Sequence, residues 1–350
     1  MTAADPRTSP PPAEPAADRA AAEEASAFSH PRVPPDAVEA YGGHQDQVVD
    51  FYRSRRDTGR PAPLIALLHG GAWRAAHDRG HISPLAAHLA ALGYAVASLE
   101  YRRGGLPDGP QHPAHHPANP VTPGPQARTA AQPAGEPFTP GSAAAGSAAP
   151  DGSGSSTGGL PAAGRWPETF DDVATAVDAL PALAVQALGA DAVDLRRVLL
   201  AGHSAGGHLA LWAAARHVLL PDSPWHRSSP PPLRGVVALA PIADFTSAIR
   251  LRVCSGAVLD LLGGPDHLTD RIAHADPAAL LPTGIATTIV HGTTDNVVPP
   301  QVSAAFARAA AAAGEEPTVA WLPATGHFPL IDPAAPAVAA VTDEIDQLAW

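Results

Sequence analysis

Lysine is absent from this sequence of 350 residues, in which all 22 basic residues are arginine. Its absence excludes a P-loop lysine, a Schiff-base lysine and a Ser-Lys dyad, because each of these sites needs an ε-amino group. Cysteine occurs only once, as Cys254, so the sequence offers no internal disulfide, no CxxC redox pair and no cysteine-rich zinc site. Several classes of cofactor and redox enzyme are therefore excluded.

Long apolar runs and clustered positive charge are also missing. No run reaches the roughly 20 apolar residues of a transmembrane helix, and residues 1–35 show no charged stretch followed by an apolar one, as in a secretory signal. The formal net charge of −12 argues against nucleic acid or an anionic membrane surface as a partner. We expect a cytoplasmic protein that binds a small-molecule substrate, of an oligomeric state that the sequence does not indicate.

Proline recurs in two segments with few large apolar residues, 1–38 and 104–164, and the second segment is also rich in glycine. Such segments bury too little apolar surface to offset an ordering cost of roughly 1–2 kcal/mol per residue. We therefore predict a disordered leader at 1–38 and a disordered Pro/Gly-rich insertion at 104–164 within one domain spanning 39–350. A small cap is a further candidate at 246–282, where the regular pattern of strands and helices is interrupted.

Outside these segments, apolar runs alternate with helix-like stretches. This pattern is typical of an α/β protein with a mostly parallel, doubly wound sheet and helices on both faces. The candidate strands are 48–52, 64–68, 95–99, 197–201, 235–240, 287–290 and 318–322. The candidate helices are 84–91, 167–180, 207–215, 301–313 and 336–348.

The most informative motif is the pentamer GHSAG at 202–206, which follows an apolar run and precedes a helix-prone segment. A strand, then G-x-S-x-G, then a helix is the context of a nucleophile elbow, in which a serine stands on a tight turn. Small residues two before and two after the serine let neighbouring backbone approach without a Cβ clash. Gly202 and Gly206 meet that requirement, so Ser204 is the candidate nucleophile.

A second motif, LLHGGAW at 67–73, takes an apolar strand into a pair of glycines. Glycines leave backbone N–H groups free to point at a developing oxyanion, and each such donor contributes roughly 3–4 kcal/mol of transition-state stabilisation. A further donor is expected from the N–H of Ala205, the residue after the nucleophile. The two motifs together predict an oxyanion hole.

Two later segments supply an acid and a base. IVHGTTDNVVP at 289–299 places Asp295 just past a strand end, and LPATGHF at 322–328 places His327 on the loop after the last strand. The chain order Ser204, Asp295, His327 is the one expected of α/β-hydrolases. Asp244 and Asp332 are weaker alternatives for the acid, since Asp244 also follows a strand and Asp332 follows the histidine loop.

The base has rivals among the 17 histidines, because His69, His203, His208 and His291 all flank these motifs. A base must reach the serine hydroxyl from across the site, which favours a histidine on a free loop. His203 is adjacent to the serine, so its side chain is expected to point away. His69 and His291 lie at strand ends, where hydrogen bonds to loop backbone are the expected role, and His327 remains the preferred base.

These motifs resemble the α/β-hydrolase superfamily, specifically its esterase/lipase branch of hormone-sensitive-lipase-like esterases and arylformamidases (kynurenine formamidases). HGGAW at 69–73 is similar to the H-G-G-x-W motif of the arylformamidases and departs from the H-G-G-G of the lipase-like group, where a glycine replaces Ala72. The resemblance extends from about Val48 to the C-terminus and includes SLEYRR at 98–103 and the helix starting near 166.

The resemblance implies the α/β-hydrolase fold and a serine hydrolase without metal or cofactor. It implies Ser204 as nucleophile, His327 as base and Asp295 as the acid that orients it. It also implies an oxyanion hole formed by the backbone N–H groups of Gly71, Ala72 and Ala205.

Three functions follow as hypotheses. The first is a carboxylesterase that cleaves esters of small acyl groups through an acyl-enzyme. The second is an arylformamidase cleaving N-formylkynurenine, suggested by Trp73 in the H-G-G-x-W motif. The third, from another class, is a non-catalytic protein of this fold that binds a ligand or partner. The presence of all three triad candidates favours an enzyme.

Overall fold

The computed structural model describes residues 16–104 and 163–350. The insertion predicted at 104–164 lies outside the described residues except at its two ends, as do the first 15 residues of the predicted leader. Within the described part of the chain, no helix is both long enough and apolar enough to cross a lipid bilayer.

Eight strands form one sheet in the order β1-β2-β4-β3-β5-β6-β7-β8. β1 pairs antiparallel with β2, β2 pairs antiparallel with β4, and the remaining neighbours pair in parallel. The strands are β1 (Ala37–Ala40), β2 (Val48–Tyr52), β3 (Ala62–Leu68), β4 (Ala95–Leu99), β5 (Val193–His203), β6 (Gly235–Leu239), β7 (Thr287–Gly292) and β8 (Thr318–Leu322). The expected mostly parallel α/β sheet is confirmed.

Helices cover both faces of this sheet. They are α1 (Ala16–Ser29), α2 (Ser83–Leu92), α3 (Glu168–Leu188), α4 (Ala205–Ala214), α5 (Phe245–Arg250), α6 (Ala257–Leu261), α7 (Leu268–Ala275), α8 (Gln301–Ala312) and α9 (Ala337–Ala349). Side chains alternate across β3, so Leu64 and Leu68 face one apolar core and Ile65 and Leu67 face the other. Helices α3, α4 and α8 close the first core, and α2 and α9 close the second.

The central strands are apolar because both of their faces are covered. Every residue of β3, β4 and β6 is buried, which is the burial expected of a parallel sheet between helical layers. Parallel strands all end at the same edge of the sheet. The loops after β3, β5, β7 and β8 therefore gather at one edge, where ligands bind in open α/β sheets.

The structure corrects the predicted disordered leader at 1–38 over its described part. Residues Ala16–Ser29 form helix α1, and Ala37–Ala40 form the edge strand β1. Alanine, glutamate and arginine favour the helix, and Ala27 of α1 is buried in the second core. Tertiary packing therefore orders a segment that its composition did not identify as folded.

Helix α3 is longer than the predicted 167–180, because it continues through Pro181 to Leu188. Proline normally ends a helix by removing one N–H donor, but buried Ala184 and Leu188 carry the apolar face of α3 past it. In the candidate cap at 246–282, the structure shows the short helices α5, α6 and α7 joined by tight turns.

Candidate active site

Ser204 stands on the turn between β5 and α4. Its φ of 58° lies in the left-handed region, which costs an L-residue free energy. A Cβ on Gly202 would lie 2.2 Å from the carbonyl oxygen of Gly206, and a Cβ on Gly206 would lie 2.2 Å from that of Leu68. Both positions require glycine, so the geometry is that of a nucleophile elbow.

The glycine loop after β3 has positive φ angles at three consecutive residues, of which the two that are not glycine are strained. Gly71, Ala72 and Trp73 have φ values of 104°, 52° and 56°. The carbonyl of Gly71 accepts from the N–H of Arg74 at 2.9 Å. Among the described residues, no acceptor is recorded for the backbone N–H groups of Gly71 and Ala72, nor for that of Ala205 at the start of α4. Free donors of this kind suit an oxyanion hole.

Asp295 and His327 form a buried pair. Asp295 Oδ2 lies 2.6 Å from His327 Nδ1, and the side chains of both residues are almost fully buried. Asp295 Oδ1 accepts from the N–H groups of Val297 and Val298, each at 2.8 Å. These bonds fix the carboxylate, which in turn fixes the imidazole.

The charge state of Asp295 follows from its neighbours. Burial alone would raise the pKa of this carboxyl, but His327 and the hydrogen bonds of His327 and His291 hold that pKa well below its usual range. Asp295 is therefore an anion that accepts a hydrogen bond from His327 Nδ1. That bond leaves Nε2 of His327 as the nitrogen available to take up a proton.

The structure brings Ser204 to the same end of the sheet as this pair without joining them directly. Among the described residues, no hydrogen bond is recorded between Ser204 Oγ and His327. His203, the residue before the serine, lies against His327 instead, with ring centroids 4.3 Å apart. Catalytic hydrogen bonds are often long in unliganded enzymes and shorten when substrate binds.

The expectation that His203 points away from the site is wrong. His203 Nε2 donates to the backbone oxygen of His327 at 3.1 Å, and burial together with His327 lowers the pKa of His203 well below its usual range. His203 is therefore a neutral residue that holds the loop of His327. It contacts the backbone of the candidate base and leaves the Nε2 atom of that base free.

The other rivals have structural roles. His69 lies against the Gly70 carbonyl, and His291 Nε2 lies 2.9 Å from the Val298 carbonyl oxygen, as expected of strand-end histidines. Asp244 caps α5 by accepting from the N–H of Ser247. Asp332 is hydrogen-bonded to Ser26 Oγ at 2.6 Å. The structure pairs neither Asp244 nor Asp332 with His327.

Helix α1 contributes residues to the rim that were not foreseen. Glu23 Oε1 accepts from the N–H of Gly326, next to His327, at 3.3 Å. Phe28 packs on His77, beside the glycine loop, and on Phe328, beside His327, with ring centroids 5.5 and 5.3 Å apart. The only sequence feature that could have predicted helix α1 is the helix-favouring composition of residues 16–29.

The segment between β6 and β7 also reaches the glycine loop. Arg74, which follows that loop, lies 3.6 Å from Asp260 of α6. Leu261 of the same helix packs so closely on Gly164 that a Cβ there would lie 2.1 Å from its side chain. Within residues 16–104 and 163–350, no group of three or more His, Cys, Asp or Glu residues has an arrangement suited to a metal ion.

Comparisons with known proteins agree with this architecture. The BD-FAE family, an esterase family of the α/β-hydrolase type, matches residues 160–309. The protein has the α/β-hydrolase fold, and the proteins that it resembles are esterases. No curated protein sequence matches.

Solved structures of the same fold include two kinds of esterase. Esterase B of Lactobacillus rhamnosis inhibited by a tributyrin phosphonate superposes with a TM-score of 0.63 at 20% identity, over 95% of this chain and 92% of that one. A truncated carbohydrate esterase from gut microbiota superposes with a TM-score of 0.59 at 18% identity, over 93% of this chain and 98% of that one. Esterase 2 of Thermogutta terrifontis superposes with a TM-score of 0.55 at 18% identity, over 91% of this chain and 95% of that one.

Proposed function

We propose that this protein is a serine esterase that cleaves carboxylic esters of small acyl groups. The observation that carries the proposal is the buried Asp295–His327 pair, 2.6 Å long, at the sheet edge where Ser204 stands on a strained elbow. A serine hydroxyl at the sheet edge, a fixed carboxylate and an imidazole, in this chain order, are the parts that acyl transfer needs. The esterases that share the fold support the same chemistry.

In the proposed reaction, Ser204 Oγ attacks the ester carbonyl carbon while His327 Nε2 takes the hydroxyl proton. The carbonyl oxygen becomes an oxyanion, which accepts hydrogen bonds from the backbone N–H groups of Gly71, Ala72 and Ala205. Asp295 stabilises the imidazolium that forms on His327. His327 then donates its proton to the leaving alcohol, and water cleaves the acyl-enzyme by the same steps in reverse.

The first test is Ser204→Ala with p-nitrophenyl acetate and p-nitrophenyl butyrate as substrates. We expect kcat to fall on the order of 10⁴–10⁶-fold, because no other group replaces the nucleophile. A fluorophosphonate probe should label the wild type and leave this variant unmodified. Unchanged hydrolysis by the variant would place the nucleophile elsewhere, and an unlabelled, inactive wild type would favour the non-catalytic binding protein.

The narrower alternative is formamide hydrolysis, which the H-G-G-x-W sequence at 69–73 favours. The same enzyme preparation is therefore assayed with N-formylkynurenine. A kcat/KM higher for N-formylkynurenine than for either p-nitrophenyl ester would replace the esterase proposal with the arylformamidase one. A higher value for the esters would support the proposal as stated.

A further inference from the structure

The last strand of the sheet, β8, has backbone groups that point away from the sheet. It pairs in parallel with β7, and none of the described strands lies on its other side. The N–H of Thr293, just past β7, donates to the Leu322 oxygen at 2.9 Å, so the backbone groups of Leu322 point toward β7. Because these groups alternate in direction along a strand, the N–H and C=O groups of Val319 and Trp321 point outward. Among the described residues, no backbone partner is recorded for these four groups.

This edge lacks the features that keep other strands from pairing with it. An exposed strand edge can pair with another chain unless charges, a bulge or a covering element protect it. The five residues of β8, TVAWL, include no charge and no proline. Thr318 and Trp321 are exposed, and the indole of Trp321 leaves 40% of its surface accessible. Within the described part of the chain, the outer side of β8 is therefore open to a further strand.

Two prolines determine which strand fits there. Pro317 and Pro323 flank β8 and lack an N–H group, so the outward donors are those of Val319 and Trp321. A second copy of β8 turned antiparallel matches them when Val319 pairs with Trp321 of the second copy and the reverse. Each residue then donates one hydrogen bond and accepts another. A shifted register that keeps the outward groups facing each other places a proline opposite one of them and loses hydrogen bonds.

Side chains and charge are compatible with this register. Trp321 of each copy lies beside Val319 of the other on the same face of the sheet, and such aromatic and β-branched pairs stabilise antiparallel strands. The two-fold axis passes through the small residue Ala320, which lies opposite itself. Glu316, the charged residue nearest to β8, lies opposite the uncharged Ala324 of the second copy. No like charges are therefore opposed along the paired strands.

The opposite edge of the sheet, at β1, does not meet the same requirement. The N–H of Tyr41 donates to the Gln47 oxygen at 3.0 Å, so the backbone groups of Val38 and Ala40 are the ones that point outward from β1. A two-fold pairing of these residues would place Glu39 directly opposite Glu39 of the second copy. Like charges in that position destabilise a strand pair. The pairing of two copies is therefore favoured at β8 and disfavoured at β1.

We propose that β8 is an interaction surface for a second copy of this chain. The two β8 strands pair antiparallel about a two-fold axis at Ala320, and the two sheets become continuous. The interface is isologous, because the same residues contribute to it from both copies. The inference does not depend on the proposed function, since it concerns only backbone and side chains at the edge of the sheet.

The first experiment measures the mass of the full-length protein by sedimentation equilibrium from roughly 1 to 100 µM. We expect it to rise from the 35.6 kDa of one chain to twice that value. Trp321→Lys places a charge on the edge and removes the ring, so its dissociation constant should be at least about tenfold higher. Circular dichroism checks that the variant is folded.

Trp350→Lys is the matched control, because Trp350 is also an exposed tryptophan, 64% accessible, and lies outside β8. Its dissociation constant should equal that of the wild type. A wild type that remains monomeric at about 100 µM would overturn the inference whatever the variants do. An unchanged dissociation constant in Trp321→Lys, or the same increase in both variants, would also overturn it.

The second experiment identifies the register by disulfide formation in a Cys254→Ser background, which contains no other thiol. The Cα atoms of an antiparallel pair without mutual hydrogen bonds are about 4.5 Å apart, within the range of a disulfide. Ala320→Cys should therefore form a covalent dimer under mild oxidation. Thr318→Cys should not, because the two introduced thiols would be four residues apart along the strands, about 14 Å. Glu39→Cys tests the edge at β1 and should also remain monomeric.

A covalent dimer with Ala320→Cys alone would support the proposed pairing. Its absence, or an equal yield with Thr318→Cys, would overturn the register and with it the inference. A covalent dimer with Glu39→Cys and none with Ala320→Cys would move the interface to β1.

Discussion

The two sides of the candidate active site are built in different ways. The oxyanion side, formed by the loops after β3 and β4, contains positive φ angles at 71–73 and a network of ion pairs that joins Arg79 and Arg103 to three carboxylates, Asp46, Asp50 and Glu100. The proton-transfer side, formed by the loops after β7 and β8, contains the buried Asp295–His327 pair. The histidine packed against that pair, His203, is neutral.

The difference between the two sides matches their proposed roles in oxyanion binding and proton transfer. Donors of an oxyanion hole must not move as charge develops, and a dense network of buried ions holds them rigidly. The base must gain and lose a proton, and a further fixed charge beside it would favour one of its two states. A neutral His203 can therefore hold the loop of His327 without opposing either state.

The largest expected effect comes from removing the carboxylate that is hydrogen-bonded to His327. Asp295→Asn should lower kcat about 10⁴-fold, because the amide can bind the wrong imidazole tautomer and cannot stabilise the imidazolium. The measurement is steady-state hydrolysis of p-nitrophenyl acetate. Asp244→Asn, at the rival acid that caps α5, is the control and should keep kcat within about threefold. A comparable loss in both variants would contradict the assignment of the acid.

The next largest effect is expected at the contact between the nucleophile elbow and the strand that leads to the oxyanion loop. A Cβ on Gly206 would lie 2.2 and 2.4 Å from the carbonyl oxygens of Leu68 and His69, so the elbow packs directly on the strand that leads to the oxyanion loop. Gly206→Ala should lower the free energy of unfolding by at least about 3 kcal/mol, measured by urea denaturation. Gly43→Ala has open space around its Cβ and should change it little. Equal stability in both variants would refute the close approach.

A smaller effect concerns a buried histidine that is held neutral. Burial lowers the pKa of His208, on α4, to about 4, against the hydrogen bond to Ala275 O. The folded pKa lies below the unfolded value of about 6.5, so the unfolded state takes up the proton first and stability is lost as pH falls through that window. Removing this group should therefore make the stability less sensitive to acid.

The measurement compares wild type with His208→Gln by urea denaturation at pH 6.5, 6 and 5. The wild type should lose about 1.4 kcal/mol more per pH unit than the variant. Burial raises the pKa of Asp276 to about 7, so this group makes the protein more stable as the pH falls. Wild type and His208→Gln both contain Asp276, so its effect cancels from the difference in stability between them. His267→Gln, at an exposed histidine, controls for the substitution. Parallel stability curves for wild type and His208→Gln would mean that His208 is not held neutral.

The smallest effect concerns strain on the oxyanion side. Ala72 has a φ of 52°, a conformation that costs alanine about 1–2 kcal/mol and glycine almost nothing, while glycine loses more chain entropy on folding. Ala72→Gly should therefore raise the free energy of unfolding by roughly 0.5–1 kcal/mol. Ala75→Gly, outside the strained stretch, should lower it. A loss of stability in both variants would show that the backbone at 72 carries no strain.

Much of the fold could be predicted because its central strands are buried on both faces. The predicted bounds of β2, β4 and β8 coincide with those observed, and the other core strands differ by a few residues at their ends. β1 was missed because it has only four residues, which alternate between half-buried and exposed. Helix α1 was missed because it follows a proline-rich stretch and depends on packing against the rest of the domain.

The sequence offers candidates for the site where chemistry and chain order coincide, as at Ser204, Asp295 and His327, and the structure pairs Asp295 with His327. Their support was not predictable, because it depends on contacts between distant segments. Glu100 is 31 residues from His69 and Glu23 is 303 residues from Gly326. No periodicity or motif encodes such pairs, and the position of His203 against His327 likewise depends on how two loops meet.

The carbonyl of Trp73 accepts hydrogen bonds from both Gly104 and Gly164, at 2.9 and 2.8 Å. The two described segments that flank residues 105–162 therefore meet at one carbonyl oxygen. Because the separation of its two ends stays fixed, the entropic cost of closing a segment at such a junction rises only slowly with the length of the segment. The same junction is a natural place to graft a foreign module that has adjacent termini.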